Sequence, residues 1–241
     1  MKISIIIPAQ NEEKRIENTL KQYGKFFQNL KKQKILDFEI VIIINNTTDN
    51  TEKIVRKFSK KYKYIKYLNF KTEGKGFAIK EGFKYSLKGK NDLIGFVDAD
   101  MSTSPEDFYD LFKNIKHYDG IIASRWIKGA RVVKRTWIRK ITSKIFNFVA
   151  GILFFLSYKD IQCGAKIFKR KVIEKIIYEL NTPGWVFDVN LLFLCKKYKF
   201  RIKEHPTVWQ DKKESKITDL SKTSIQMLFE IIRLRLLLSK R

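Results

Sequence analysis

Asp92-Leu93-Ile94-Gly95-Phe96-Val97-Asp98-Ala99-Asp100 is a short apolar run that ends on two carboxylates flanking one small residue. The run reads as a strand of the fully buried kind. Upstream the same arrangement recurs. Ile3 to Ile7 is a β-branched run stopped by Pro8, Phe38 to Ile44 is a second buried-type strand, and Tyr64 to Leu68 is a short one. The stretches between them predict helices over about 12–30, 51–61 and 76–86. Strands alternating with helices predict an α/β fold, a mostly parallel sheet with helices on both faces.

Ligands of such sheets bind beyond the carboxyl ends of the strands. The residues at those ends are polar: Pro8-Ala9-Gln10-Asn11-Glu12 after the first strand, Asn45-Asn46-Thr47-Thr48-Asp49-Asn50-Thr51 after the second, and Asp98-Ala99-Asp100 after the strand quoted above. Three polar loops therefore converge on one sheet edge. Asp98 and Asp100 place hard oxygens where a divalent cation can be shared with a diphosphate. Mg²⁺ uses one or two carboxylates plus substrate phosphates in this way, and Mn²⁺ also fits. Taken alone, Asp-x-Asp also reads as a solvated acidic turn.

The chain has 241 residues, enough for one large α/β domain, and no Pro/Gly/Ser-rich linker divides it. With 44% apolar residues and 19 Phe, a folded chain is expected rather than a disordered one. Fifty Lys+Arg against 25 Asp+Glu leave a formal charge of +25, which favours nucleic acid, anionic lipid or phosphorylated substrates as partners. Cys163 and Cys195 are too few for a disulfide framework, so reduced thiols in a cytoplasmic protein are expected. The N-terminal apolar run is too short for a signal peptide. Ile145 to Leu156, interrupted by Asn147, falls well short of the roughly 20 residues of a spanning helix. No transmembrane helix is expected.

The ordered motifs resemble those of the family-two inverting glycosyltransferases of GT-A fold, within which they look most like the dolichyl-phosphate glucosyl- and mannosyltransferases. The resemblance is carried by Ile5 to Glu12, Asn46 to Thr51, Gly74-Lys75-Gly76, Val97 to Asp100, Ala123-Ser124-Arg125, Gln162 to Lys166, Trp185 to Val189 and Glu214-Ser215-Lys216. It implies a catalytic domain over residues 1–217, which includes the segment 134–158; the remainder, 218–241, reads from its own spacing as a basic amphipathic helix. It implies that Pro8, Asn11, Glu12, Asn45 and Asn46 line the base and ribose pocket, that Lys75 lies near the diphosphate, and that Asp98 and Asp100 hold Mg²⁺ or Mn²⁺. Glu12 can accept from ribose hydroxyls, and Lys75 can offset phosphate charge. The family usually has acidic residues where this chain has Asn45 and Asn46, which leaves the base open. Ser102 stands where mannosyl relatives often have Gln, which leans towards UDP-glucose over GDP-mannose as donor.

The second half is basic and amphipathic. Lys134, Arg135, Arg139, Lys140 and Lys144 accompany Trp137, Ile138 and Ile141, and the segment 134–158 is expected to form an interfacial helix. Ile225, Leu228, Phe229, Ile232 and Leu236 recur at helical spacing near Arg233, Arg235, Lys240 and Arg241. Such helices lie at an anionic membrane surface, here the cytoplasmic face, or else cover the core of a soluble enzyme. A polyprenyl (dolichyl-type) phosphate acceptor accounts for both the apolar and the basic features, with Arg125, Arg131 and Lys216 as candidate phosphate partners. The expected reaction is in-line attack on the anomeric carbon with inversion, with Arg125 and Asp188 beside the metal carboxylates. Asp188 is a general base if the acceptor is a hydroxyl, as in surface-polysaccharide assembly, and a positioning group if it is a phosphate. A nucleic-acid-binding role leaves the strand-end motifs unexplained, and no nucleic-acid partner is expected. A relative that only binds nucleotide or lipid remains a further alternative.

Overall fold

The computed structural model describes residues 1–133, 136–182, 184, 186–210 and 229–237. In chain order the elements are β1 (Lys2–Ala9), α1 (Ile16–Lys32), β2 (Asp37–Asn45), α2 (Thr51–Lys61), β3 (Ile65–Phe70), α3 (Lys75–Lys88), β4 (Leu93–Phe96) and α4 (Pro105–Asn114). They continue with β5 (Gly120–Ser124), β6 (Arg131–Val133), α5 (Trp137–Phe154), β7 (Lys166–Lys169), α6 (Arg170–Ile176), α7 (Phe187–Lys197), β8 (Ile202–Pro206) and β9 (Val208–Gln210). A last helix, α8, covers residues 229–237.

Seven strands form one sheet in the order β3-β2-β1-β4-β7-β5-β8, and β6 and β9 form a separate parallel pair. All neighbours in the large sheet are parallel except β7, which runs antiparallel to both β4 and β5. The expected α/β sheet covered on both faces is what the chain forms. Alternation along β1 shows why. Ile3, Ile5 and Ile7 face one core with Leu20, Tyr23 and Phe27 of α1 and Phe108 of α4. Ile6 faces the other, with Phe83 of α3, Phe154 of α5, Ile173 of α6, Leu191 of α7 and Ile231 of α8. Successive strand side chains point to opposite faces, so an unbroken isoleucine run serves two cores at once.

Two boundaries differ from expectation. Pro8 does not stop β1, which continues to Ala9 with Pro8 opposite Ile43. Ile6 bonds Val97 on the β4 side through its carbonyl, and Pro8 shares that orientation. The missing Pro8 donor thus faces a side where the ladder with β4 has already ended. Helix α1 starts at Ile16 rather than near Glu12, because residues 12–15 form a turn in which the Glu12 carbonyl accepts from Arg15 and Ile16.

The expected boundary at residue 217, the motif Glu214-Ser215-Lys216, Trp185, Lys134 and Arg135, and the residues Ile225, Leu228, Lys240 and Arg241 lie outside the described residues. Among the described residues no helix is long and apolar enough to cross a membrane.

Candidate active site

Asp98 and Asp100 follow β4 at the carboxyl edge of the sheet. Thr19 of α1 donates to the Ala99 carbonyl at 2.6 Å, and Tyr23 to that of Thr103 at 3.0 Å, so a buried helix face braces the loop. Asp100 Oδ1 accepts from the Ser102 backbone at 2.9 Å. Burial, then the nearby charge of Asp98, raises the proton affinity of Asp100. Lys75 Nζ lies 2.5 Å from Asp98 Oδ1. Burial works against the Lys75 ammonium, but Asp98, Asp188 and Asp100 outweigh it and hold Lys75 above the usual lysine range. Lys75 opens α3, where the helix dipole disfavours a cation. Dipole and ammonium together direct positive potential at one spot, an arrangement suited to an anion.

Gly164 closes the far side of Asp98. A Cβ built there would sit 1.8 Å from Asp98 Oδ2, so only glycine leaves room for the carboxylate.

The two polar loops beside this cluster are laced together. Asn11 (φ 51°) and Asn46 (φ 45°) both occupy the left-handed region that asparagine tolerates, and each turns its chain off the strand end. Asn11 Oδ1 accepts from the Thr48 backbone at 2.8 Å, while the Asn11 backbone donates to Thr47 Oγ1 at 3.0 Å. The Glu12 backbone donates to Thr51 Oγ1, and the Glu12 carboxylate accepts from Arg15 at 2.7 Å. Asn45 is buried at the end of β2. Asn46 Nδ2 donates to Glu73 Oε1 at 2.5 Å, which draws an acidic residue beside the two asparagines. Pro8 is half-buried at the end of β1, next to the same loops.

Two expected acceptor-side residues are placed differently. Arg125 is not an exposed cation. It is buried, and its Nε and Nη2 donate to Asp160 Oδ2 and Oδ1 at 2.7 and 2.8 Å, with its backbone donating to Oδ2 as well. The indole of Trp209 lies 5.3 Å from its guanidinium carbon. Burial would raise the Asp160 carboxyl, but Arg125 outweighs it and holds that carboxyl below the usual range. Arg125 therefore fastens the end of β5 to the Asp160 loop. Asp188, in the first turn of α7, is also buried and is bonded to the fully buried Lys166 at 2.5 Å. Arg131 is exposed on β6, and Lys216 lies outside the described residues.

Lys166, Asp160, Arg15 and Gly164 have no role in the sequence reading, although Lys166 and Gly164 stand in one of its motifs. The available signal was a lysine inside an apolar stretch, Lys166-Ile167-Phe168, where solvation cannot explain it.

Helix α5 separates its apolar residues into two faces. Phe146, Ala150 and Phe154 enter the core, while Phe148, Ile152 and the following Phe155 point outward at 70, 58 and 70% exposure. An open groove of about 500 Å³ runs beside this helix, lined in part by Trp126, Lys144, Asn147, Phe148, Tyr158 and Lys159. Trp126 and Lys159 each adjoin one member of the Arg125–Asp160 pair in the chain. On α8, Ile231 and Leu234 are buried and Phe229, Ile232 and Leu236 are exposed. The guanidinium carbon of Arg235 on α8 lies 6.0 Å from the centroid of the Phe155 ring, just past the end of α5.

A divalent cation fits the Asp98–Asp100 pair. Burial, and then the neighbouring charge of Asp98, raise the Asp100 proton affinity, and a bound cation would offset both. Among the described residues no group of three His, Cys, Asp or Glu side chains could hold a metal by itself. Such an ion would take its remaining ligands from substrate oxygens and water, the usual mode for Mg²⁺.

Comparison with known proteins identifies the family and agrees with the fold. The chain is 34% identical to the dolichyl-phosphate beta-glucosyltransferase of Dictyostelium discoideum over 244 residues, covering 97% of this chain and 73% of that protein. It is 32% identical over 254 residues to the enzyme of the same name from Saccharomyces cerevisiae, covering 97% and 74%. The fold matches glucosyl-3-phosphoglycerate synthase from Mycobacterium tuberculosis, solved with Mn²⁺, uridine diphosphate and phosphoglyceric acid. That match has a TM-score of 0.71 at 15% identity and covers 97% of this chain and 78% of that one. The description Glycosyl transferase family 2 matches residues 4–177. By that match and by its near-full-length relatives, the chain belongs to glycosyl transferase family 2 and is a glycosyltransferase.

Proposed function

We propose that the protein transfers glucose from UDP-glucose to a dolichyl-type polyprenyl phosphate at the cytoplasmic face of a membrane, with inversion at the anomeric carbon. The observation that carries this reading is the Lys75–Asp98–Asp100 cluster at the sheet edge where the β1 and β2 loops also converge. The names of the relatives supply the glucosyl and dolichyl parts. Asp98 and Asp100 would hold Mg²⁺ or Mn²⁺, which supplies Lewis-acid neutralisation of the diphosphate charge. Lys75 and the start of α3 add positive potential beside that diphosphate, where the leaving group gathers charge. Pro8, Asn11, Glu12, Asn45 and Asn46 form the nucleoside end, with Glu73 returning a carboxylate beside Asn46.

On the acceptor side, the groove beside α5 offers apolar walls for the first isoprene units and Lys144 and Lys159 for charge, with Arg131 nearby in the chain. Lys216 stays a candidate partner for the acceptor phosphate. The outward faces of α5 and α8 would rest in the lipid interface, where exposed apolar residues rimmed by cations are stabilised. The residue span 1–217 serves as the catalytic domain, and 218–241 as an interfacial attachment.

The test is a donor and acceptor screen on the purified chain with Mn²⁺ or Mg²⁺. Glucosyl polyprenyl phosphate from UDP-glucose is the expected product. Transfer only from GDP-mannose, or only to a glycolipid hydroxyl, would replace the reading.

A further inference from the structure

Glu73 lies in the short loop between β3 and α3, one residue before Gly74, whose φ of 110° suits glycine alone. Its Oε1 accepts from Asn46 Nδ2 at 2.5 Å, across the gap between the ends of β3 and β2. The chain carries 50 Lys+Arg, and Lys71 and Lys75 stand two positions to either side of Glu73. Among the described residues no cation pairs with it all the same, and Lys75 is turned to Asp98 instead. Asn46 is held by its backbone, which donates to the Phe70 carbonyl at 2.8 Å and turns off β2 at a φ of 45°. Glu73 is exposed and Asn46 half-buried, so a ligand can reach both.

The hydrogen-bonding capacity left over on this pair has a definite pattern. A carboxylate accepts on both oxygens, and a primary amide has two N–H donors. Their mutual contact uses one of each. The amide nitrogen must be the atom facing Glu73, since the amide oxygen would repel the carboxylate. Among the described residues, Glu73 Oε2 and the second N–H of Asn46 have no further partner. An acceptor therefore stands beside a donor. That is the complement of a ring N–H next to a keto oxygen, the edge presented by uracil and thymine and, among purines, by guanine. Cytosine and adenine present the reverse order, a ring nitrogen acceptor beside an amino donor. Either would set a lone pair against the carboxylate.

The position along the loop agrees with this pattern. Glu73 and Lys75 are at most about 7 Å apart along the backbone. Their side chains are held by different neighbours, Asn46 and Asp98. A carboxylate suited to a base and an ammonium suited to a diphosphate thus follow one another towards the metal carboxylates.

We propose that Glu73, held by Asn46, is the base-specificity residue of the donor site: the pair reads a ring N–H beside a keto oxygen, and so admits UDP and rejects CDP. This inference rests on the nucleotide-sugar transfer proposed above and adds the group that selects its base. The carboxylate then comes from the loop after β3, and not from the end of β2, where this chain has Asn45 and Asn46.

Titration calorimetry on the full chain with Mn²⁺ compares UDP, CDP and N3-methyl-UDP, in which a methyl replaces the ring N–H. UDP should bind about 30-fold or more tighter than either of the others, within the range of one bidentate base contact. Glu73→Gln puts an amide N–H where the second carboxylate oxygen stood, a donor that suits the cytosine ring nitrogen. In that variant UDP should weaken by about tenfold or more while CDP stays within about threefold, so that the preference collapses.

Equal weakening of UDP and CDP in Glu73→Gln would mark a merely structural role and overturn the proposal. Parent affinities for the three nucleotides within about threefold of one another would overturn it without recourse to any variant, and would leave glycosyl transfer standing. Binding of none of the three would overturn the proposed UDP donor itself, and the inference with it.

Discussion

Lys75 Nζ and Asp98 Oδ1 lie 2.5 Å apart across the mouth of the sheet, joining the start of α3 to the loop after β4. The pair is only partly buried, at 22 and 30% side-chain exposure, so it is open to a ligand on one side. An ammonium held there can turn from carboxylate to diphosphate without crossing the site.

Replacing Lys75 with Met should therefore lower kcat/KM for UDP-glucose by about 100-fold, the range expected for one preorganised group facing developing charge. The melting temperature should hardly change. Steady-state kinetics beside a thermal melt checks both statements.

Asp100→Asn removes one of two carboxylates proposed for the cation. Binding of Mn²⁺ in the presence of UDP, followed by titration calorimetry, should be lost, and turnover should fall by about 1000-fold, a loss of about 4 kcal/mol in transition-state stabilisation. Retained turnover at limiting Mn²⁺ would remove Asp100 from the site.

Gly164→Ala places a methyl where Asp98 Oδ2 now sits. Overpacking should cost about 1–3 kcal/mol of stability, read from denaturant unfolding. Mn²⁺ affinity should fall alongside, because the carboxylate must swing away. A folded Gly164→Ala enzyme with parental Mn²⁺ affinity would show that Asp98 is not held where the structure has it.

Asp160→Asn strands the buried Arg125 and should cost about 3–5 kcal/mol. The sign of the pH dependence follows from the direction of the shift. The folded-state affinity of Asp160 for a proton is depressed, so the parent's extra stability is present above the unfolded carboxyl pKa of about 3.9 and is lost progressively as pH falls from there through the lower folded-state pKa. Urea midpoints of the parent and Asp160→Asn should keep a constant separation from pH 7 to about pH 5 and begin to draw together below about pH 4.

Phe148→Asp with Ile152→Asp alters two outward residues of α5 that leave the core untouched. Sedimentation with vesicles containing anionic lipid should drop by about tenfold, while Tm is unchanged. Equal sedimentation of variant and parent would place the membrane contact elsewhere.

The β1 and β4 runs, the three polar loops and the Asp98–Asp100 pair were all legible in the chain, because each depends on local pattern: apolar runs of strand length, turn-forming residues and an acidic strand end. The same locality explains the misplacement of Arg125 and the silence on Lys166. Whether a cation meets solvent or a carboxylate depends on residues 35 and 22 positions away, Asp160 and Asp188, which no local pattern brings together. Insertion of β7 as the antiparallel strand between β4 and β5 makes those meetings. It carries Gly164 against Asp98 and Lys166 beneath Asp188, and burial then forbids either charge to stand alone. The sequence determined the sheet and the edge on which its polar loops gather; only the tertiary structure decided which charged groups on that edge are paired and which stay open, since pairing and desolvation are properties of neighbours in space.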